Sequence, residues 1–388
     1  MKTILFDLLL SQPSGTTKFH GGGEYIKTIF EYIVRNYSDK ARIIAYYDNK
    51  NFLDDWIKDL IHKYEIKEYF ISDTSEIQGI FKQEKVEIFY SGLPYLYHKS
   101  WFPEKVIIKG TIHGLRSIEI PHDEFEYKYL KGKERHKCQI RLIKWMILKN
   151  KISYKQKFVD GFKPSIMLLD EMVCDSEHTK YSIMSNYPEQ VWKSINVIYP
   201  PRKFVKETNI NIACSVEGKF ILLLGGDRWL KNAYRGLKAM DNLYSKQYMN
   251  DYKTVLVGDI SDNIMKELIN IDKFVFLGYV KSEELESLYE SCDIFVYPSL
   301  NEGFGYPPLE AMKYGKTCVI SAVCSLPEIC GQAVYYVNPY DIEEIENRIL
   351  HASEVKIDKL QVISQCDKIL ARQTYDLKKL CNLIMGGK

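Results

Sequence analysis

The sequence predicts an α/β chain of two Rossmann-like domains facing each other across a cleft, and three observations predict it. At 388 residues the chain is too long for one compact core and suits two domains of roughly 150–200 residues each. Short β-branched or aromatic runs alternate with amphipathic stretches of helical period, the pattern of a parallel sheet flanked by helices. That pattern breaks off at Pro200-Pro201 and a polar stretch over 202–218, then restarts. Charged residues at 27% and hydrophobic ones at 46% are ordinary globular values and exclude wholesale disorder. No apolar run reaches the roughly 18 residues of a membrane span.

The elements follow in order. Residues 4–10 read as the first strand, and Asp7 within that apolar run argues against a secretion signal, so a cytoplasmic chain is expected. A loop over 11–23 leads into a helix from Glu24, where Ile26, Ile29, Phe30, Ile33 and Val34 recur at i, i+3, i+4. Further strands are expected at 43–47, 88–90, 106–108, 172–174 and 196–198, completing a first domain over 1–200. The second domain, 201–371, opens with the apolar run 219–224 ending in Gly225-Gly226 and continues with strands at 254–257, 274–276, 293–297 and 317–321. Nine cysteines contain no CxxC pair, and Cys318, Cys324 and Cys330 have no histidine nearby, so neither a disulfide framework nor a zinc site is expected.

The chemistry concentrates after the strand 293–297. Pro298-Ser299-Leu300-Asn301 leads to Glu302-Gly303-Phe304-Gly305-Tyr306, a helix opening on Pro307-Pro308, and Gly315 where that helix stops. Glu302 therefore sits on a loop at the carboxyl end of a strand, where ligands bind in such sheets, and Glu310 lies in the first helical turns. Gly303 and Gly305 let the backbone approach a ligand, and the helix start offers N–H groups to an anion. Two carboxylates separated by such a loop suit a nucleotide sugar; a capped surface loop with two unrelated glutamates fits the same residues.

From Tyr297 to Met312, on through Gly315, Cys318-Val-Ile-Ser321 and Ser325-Leu-Pro-Glu-Ile-Cys-Gly331, the segment resembles the retaining glycosyltransferases of family 4, which have the GT-B fold. The resemblance implies that Glu302 of the E-x7-E pair lies against the donor sugar near the reacting carbon. It gives the ribose hydroxyls to Glu310, and contacts with sugar and phosphates to the main chain of Gly303, Phe304 and Gly305. Upstream, Leu224-Gly-Gly-Asp-Arg228-Trp-Leu-Lys231 resembles the pyrophosphate-binding segment, which assigns Arg228 and Lys231 to the departing diphosphate. Many members place the arginine directly after the glycine, whereas Gly226 and Asp227 intervene here, so Lys231 is the firmer assignment. Phe276-Leu-Gly-Tyr-Val280 resembles the base-binding loop, with contacts around Tyr279 and Val280.

In the first half His20-Gly21-Gly22-Gly23-Glu24 resembles the family's glycine loop near the donor phosphate, which makes Gly22 and Gly23 donor-binding residues. It is not a GxGxxG fingerprint, and no acid follows at the expected distance, so a dinucleotide is disfavoured. Thr111-Ile112-His113-Gly114-Leu115 resembles the His-Asp loop whose histidine reaches the donor sugar; Gly114 stands where the aspartate is usual. Arg116 beside it suits an acceptor phosphate or an ordinary surface position. A final helix, about 372–388, is expected to pack back on the first domain, as in relatives.

Residues 128–157 carry eleven Lys or Arg and one acid, Glu134, with Ile140, Ile143 and Ile147 beside the stripe Lys137, Arg141 and Lys144. Such a segment suits peripheral contact with anionic lipid at the inner face of a membrane, or a solvated helix with its apolar edge on its own domain. Near-neutral net charge, +2, and the absence of a recognition motif exclude nucleic acid as the partner. No two aspartates are spaced as DxD, so catalysis without a metal or other cofactor is expected, with Lys231 and Arg228 in the metal's place. The expected activity is retaining transfer from a nucleoside diphosphate sugar to a glycan or lipid-linked glycan in polysaccharide synthesis. The alternatives are a nucleotide-sugar epimerase of the same fold and a non-catalytic sugar-nucleotide-binding scaffold.

Overall fold

A computed structural model of the chain describes residues 1–13, 21–147, 151–190, 194–202 and 214–387. Of the linker expected over 202–218, residues 203–213 lie outside the described residues, as does His20 of the glycine loop.

Each of two units is built on a parallel sheet. The first sheet holds β1 (Lys2–Asp7), β2 (Ala41–Tyr47), β3 (Lys67–Phe70), β4 (Ile88–Ser91), β5 (Ile107–Ile112), β6 (Glu171–Cys174) and β7 (Ser194–Val197), in the order β3-β2-β1-β4-β5-β6-β7. The second holds β8 (Lys219–Leu224), β9 (Tyr252–Val257), β10 (Phe274–Phe276), β11 (Ile294–Tyr297), β12 (Thr317–Ser321) and β13 (Tyr335–Val337), in the order β10-β9-β8-β11-β12-β13. Both orders reverse direction beside the first strand, and crossover helices make every paired ladder parallel. The helix Gly21–Tyr37 buries Ile26, Ile29, Phe30, Ile33 and Val34, the residues whose spacing gives it away in the sequence.

Three departures from the expected elements have physical reasons. β3 and β13 are not among the expected strands: β3, Lys67-Glu-Tyr-Phe70, is a half-exposed edge strand with no apolar run, and β13, within the apolar run 333–337, is an edge strand of only three residues. β1 stops at Asp7 rather than running to residue 10, because the buried Asp7 carboxylate accepts from Leu10 N (3.3 Å), Ser91 Oγ (2.6 Å) and the Tyr97 hydroxyl (2.7 Å) and turns the chain there. Gly22 and Gly23 form the opening turn of the helix Gly21–Tyr37 rather than a loop before it, and a Cβ on Gly22 would stand 2.9 Å from Leu93 Cδ1.

The chain crosses between units more often than the expected boundary at residue 200 and return near 372 imply. The first unit comprises Met1–Leu115, Lys157–Val205 and Leu370–Lys388, and the second Arg116–Gln156 and Lys206–Ile369. Residues 116–156 thus lie between β5 and β6 in sequence yet belong to the second unit, where Phe125 and Tyr129 pack against its core. At the other end, Leu377, Leu380, Cys381 and Ile384 enter the core of the first unit. Among the described residues no helix is long and apolar enough to cross a membrane.

Candidate active site

β11 delivers its chain end into the loop that carries Glu302, and the sequence fixes that loop locally. Gly305 caps the helix Tyr306–Lys313 at φ 108°, a backbone conformation L side chains rarely adopt, and a Cβ there would lie 2.7 Å from Leu326 Cδ2. Buried Ser325 donates through Oγ to the carbonyls of Glu302 (3.0 Å) and Phe304 (2.7 Å), pinning the backbone on either side of Gly303.

Lys231 reaches the same place from the end of β8. Gly225 turns the chain at φ 78°, and a Cβ there would stand 2.6 Å from Lys231 Cγ, so the glycine makes room for the lysine stem. Lys231 Nζ lies 2.6 Å from Glu302 Oε1 and donates to the Tyr297 hydroxyl at 2.6 Å. Tyr297 in turn donates to Glu302 Oε1 at 2.7 Å, and Ser299 Oγ donates to the same oxygen at 2.6 Å. Three donors therefore converge on one oxygen of a buried carboxylate. Burial pushes the Glu302 carboxyl up, but the Lys231 and Arg116 charges overcome it and hold the group at about 2. Burial also pulls the Lys231 ammonium below its ordinary value, with Glu302 opposing, and pushes the Tyr297 phenol well up. The pair is an ion pair: a carboxylate that accepts from Lys231, Tyr297 and Ser299 is satisfied only when ionised.

The other candidates of this unit are placed around different partners. Arg228 precedes the turn Trp229–Lys231; it is exposed, and its charge acts on Lys231 and Tyr297. Glu310, half-buried on the helix Tyr306–Lys313, accepts from the buried Tyr289 hydroxyl at 2.9 Å. Tyr279 is exposed and donates to Asp227 Oδ2 at 2.6 Å, while Val280 is half-buried in the loop after β10. In the first unit His113 follows β5, with Nδ1 2.6 Å from Asp175 Oδ2 and Nε2 2.9 Å from the Gly92 carbonyl. The Tyr25 ring meets it edge-on at 4.6 Å.

Sequence reasoning did not find Tyr297, Ser299 or Asp175. Tyr297 closes the apolar run of β11, so it reads as core, and only its hydroxyl gives it a second role. Asp175 carried a usable signal, an acid immediately after a strand in a parallel sheet.

Against this geometry, residues 206–365 match the family described as glycosyl transferases group 1. The segment that builds the Glu302 site belongs to that family. Proteins similar to the chain include the serotype-specific mannosyltransferase WbdA of Escherichia coli, 32% identical over 142 residues, 34% of this chain and 17% of that protein. The O-antigen chain mannosyltransferase RfbU of Salmonella typhimurium is 25% identical over 220 residues, 55% of this chain and 57% of that protein. The chain thus spans between about a sixth and just over half the length of these relatives. The solved structure of Anabaena HepE in complex with UDP aligns at TM-score 0.63 and 14% identity, covering 100% of both chains. The whole chain accordingly has the GT-B fold, of which the group 1 segment forms the second half.

Proposed function

We propose that this chain is a glycosyltransferase that moves a sugar from a nucleoside diphosphate sugar to an acceptor hydroxyl, with retention at the anomeric carbon. The observation that carries the reading is the Glu302 carboxylate, held ionised by Lys231 at the carboxyl end of a parallel strand. In the proposed reaction the bond from the anomeric carbon to the phosphate oxygen breaks and the bond to the acceptor oxygen forms on the same face. The acceptor's proton passes to the leaving phosphate. Glu302 positions the sugar and stabilises its developing positive charge, while Lys231 and Arg228 stabilise the diphosphate. Glu310 takes the ribose, and the main chain at Gly303 to Gly305 and at Tyr279 and Val280 takes the remainder of the donor. In the first unit His113, Gly22 and Gly23 are the donor-side groups. With cations supplied by side chains, no metal ion or other cofactor is required.

Relatives named as mannosyltransferases of O-antigen chains make a mannosyl donor and a surface-polysaccharide acceptor the first to try. They are transferases by name, which favours transfer over an epimerase or a scaffold. Peripheral contact with anionic lipid is proposed for the helix Gly132–Ile147. It exposes Ile140, Ile143, Met146 and Ile147 beside Lys133 and Lys144, with Cys138 and Leu142 as its buried edge. Part of the basic segment's charge is already matched within the chain: Lys128 pairs with Glu267, Lys137 with Glu134 and Arg141 with Glu126.

A thermal-unfolding screen against UDP, GDP, dTDP, ADP and CDP in excess EDTA tests the donor site. A ligand at 100 times its Kd adds about 2.7 kcal/mol and raises the midpoint by several degrees. A shift by one nucleotide is the expected result; no shift by any, or a shift only once metal is restored, overturns the metal-independent donor site. The sugar derivatives of that nucleotide, assayed with and without glycan acceptor, then separate transfer from epimerisation.

A further inference from the structure

Residues 116–131 form a strap that lies between two strands of the first sheet in sequence but belongs to the second unit. Its anchor is buried. Arg235 and Asp123, 1% and 5% exposed, form a two-pronged pair, Nη1 to Oδ1 at 3.2 Å and Nη2 to Oδ2 at 2.9 Å, with Glu124 Oε1 3.0 Å from Nη2. The Arg235 guanidinium also stands 4.5 Å from the centre of the Phe125 ring. Further along, Tyr234 N donates to the Tyr129 hydroxyl at 2.8 Å and Asn263 Nδ2 to the Leu130 carbonyl at 3.1 Å.

The same anchor holds the active-site loops. Arg235 Nη1 donates to Asn232 Oδ1 at 3.0 Å, and Asn232 Nδ2 donates to the carbonyls of Pro298 (2.9 Å) and Pro339 (2.7 Å). Asn232 follows Lys231 directly, and Pro298 begins the loop to Glu302. One buried guanidinium thereby ties together the strap, the Lys231 turn and the Glu302 loop. At the strap's near end Asn301 Nδ2, adjacent to Glu302, lies 2.5 Å from Glu119 Oε2. Glu119 ends the single helical turn that Arg116 begins. Arg116 is exposed, its charge acts on Glu302, Lys231 and Tyr297, and among the described residues neither it nor Arg228 has an ion-pair partner. Lys231 is already matched by Glu302.

From this arrangement we infer that Arg116 is a third cation for the donor diphosphate, carried to the Glu302 site by the strap, with Asp123 and Arg235 as its positioning residues. The inference rests on the donor site proposed above. It explains why a segment from the first half of the sequence is fastened to the second unit by buried charge: the strap supplies a guanidinium that the group 1 segment does not itself encode.

The test is calorimetric titration of the full chain with UDP, GDP, dTDP, ADP and CDP, then of variants with the nucleotide that binds and its nucleoside. Arg116→Gln is expected to weaken the diphosphate about tenfold, the loss of one contact to a charged group. It should leave the nucleoside within twofold, and Arg116→Lys should recover part of the loss. Diphosphate binding unchanged in Arg116→Gln but lost in Lys231→Ala overturns the role of Arg116 while leaving the donor site standing. No binding by the unmodified chain overturns both. Asp123→Asn, with its unfolding midpoint recorded, is expected to show the same split between diphosphate and nucleoside; equal weakening of both, or neither, overturns the positioning role.

Discussion

His113 and Glu302 both lie past the carboxyl end of a strand in a parallel sheet, β5 in one unit and β11 in the other, yet they are held by opposite chemistry. His113 stands between oxygens, the Asp175 carboxylate and the Gly92 carbonyl, so it is the donor and its ring orientation is fixed from both sides. Glu302 stands among donors, Lys231, Tyr297 and Ser299, so it is the acceptor and its ionised form is fixed. The difference teaches that lying past a strand's carboxyl end does not by itself set charge, and that neighbouring strand ends decide what the group can do. For His113 those neighbours come from the ends of β4 and β6. For Glu302 they come from the turn after β8, from the end of β11 and from the loop that follows it.

The largest effect that would sharpen this contrast is on turnover. Lys231→Ala is expected to lower kcat by roughly 10²–10³, as for one lost stabiliser of transition-state charge, measured at saturating donor. If His113→Ala costs as much and Lys231→Ala little, the chemistry resides in the first unit and the comparison is reversed. Next comes stability. Glu302→Gln leaves Lys231 buried without its counter-charge and should cost about 3 kcal/mol in chemical denaturation. His113→Ala, which leaves Asp175 and one carbonyl without their donor, should cost about 1–2 kcal/mol.

Acid titration separates the two sites in another way. Glu302 is held at about 2 against an ordinary 4.5. A depressed carboxyl contributes stability that is fully present above about 4.5 and lost as pH falls toward 2. Unfolding midpoints of the unmodified chain should therefore fall across that interval more steeply than those of Glu302→Gln; parallel curves would remove Glu302 as the titrating group. The smallest expected effect is in Glu310→Ala, with KM for the donor up about tenfold, roughly 1.4 kcal/mol. Its kcat should stay within about twofold, and a drop in kcat with unchanged KM would move Glu310 out of the ribose role.

Much of the second unit was legible because its strands are central and its loop is written in residues with a single use. Pro307-Pro308 after a glycine loop suits the first turn of a helix, Gly305 takes a φ that L side chains rarely adopt, and the run over 294–297 contains nothing charged. The edge strands β3 and β13 were not legible, β3 because a half-exposed strand needs no apolar pattern and β13 because it is only three residues long. Membership of 116–156 in the second unit was not legible either. Nothing local in Asp123 or Arg235 announces a partner 112 residues away.

By itself the sequence determined the two parallel sheets, the glycine turns and the positions of Glu302, Lys231 and His113 at strand ends, because backbone periodicity and steric exclusion are local. Only the tertiary structure decided which strand ends meet. The triangle of Glu302, Lys231 and Tyr297, the His113–Asp175 contact and the strap anchored at Arg235 all depend on sheet order and on buried charge finding its counterpart. Those are properties of packing, which residue spacing along a chain does not encode.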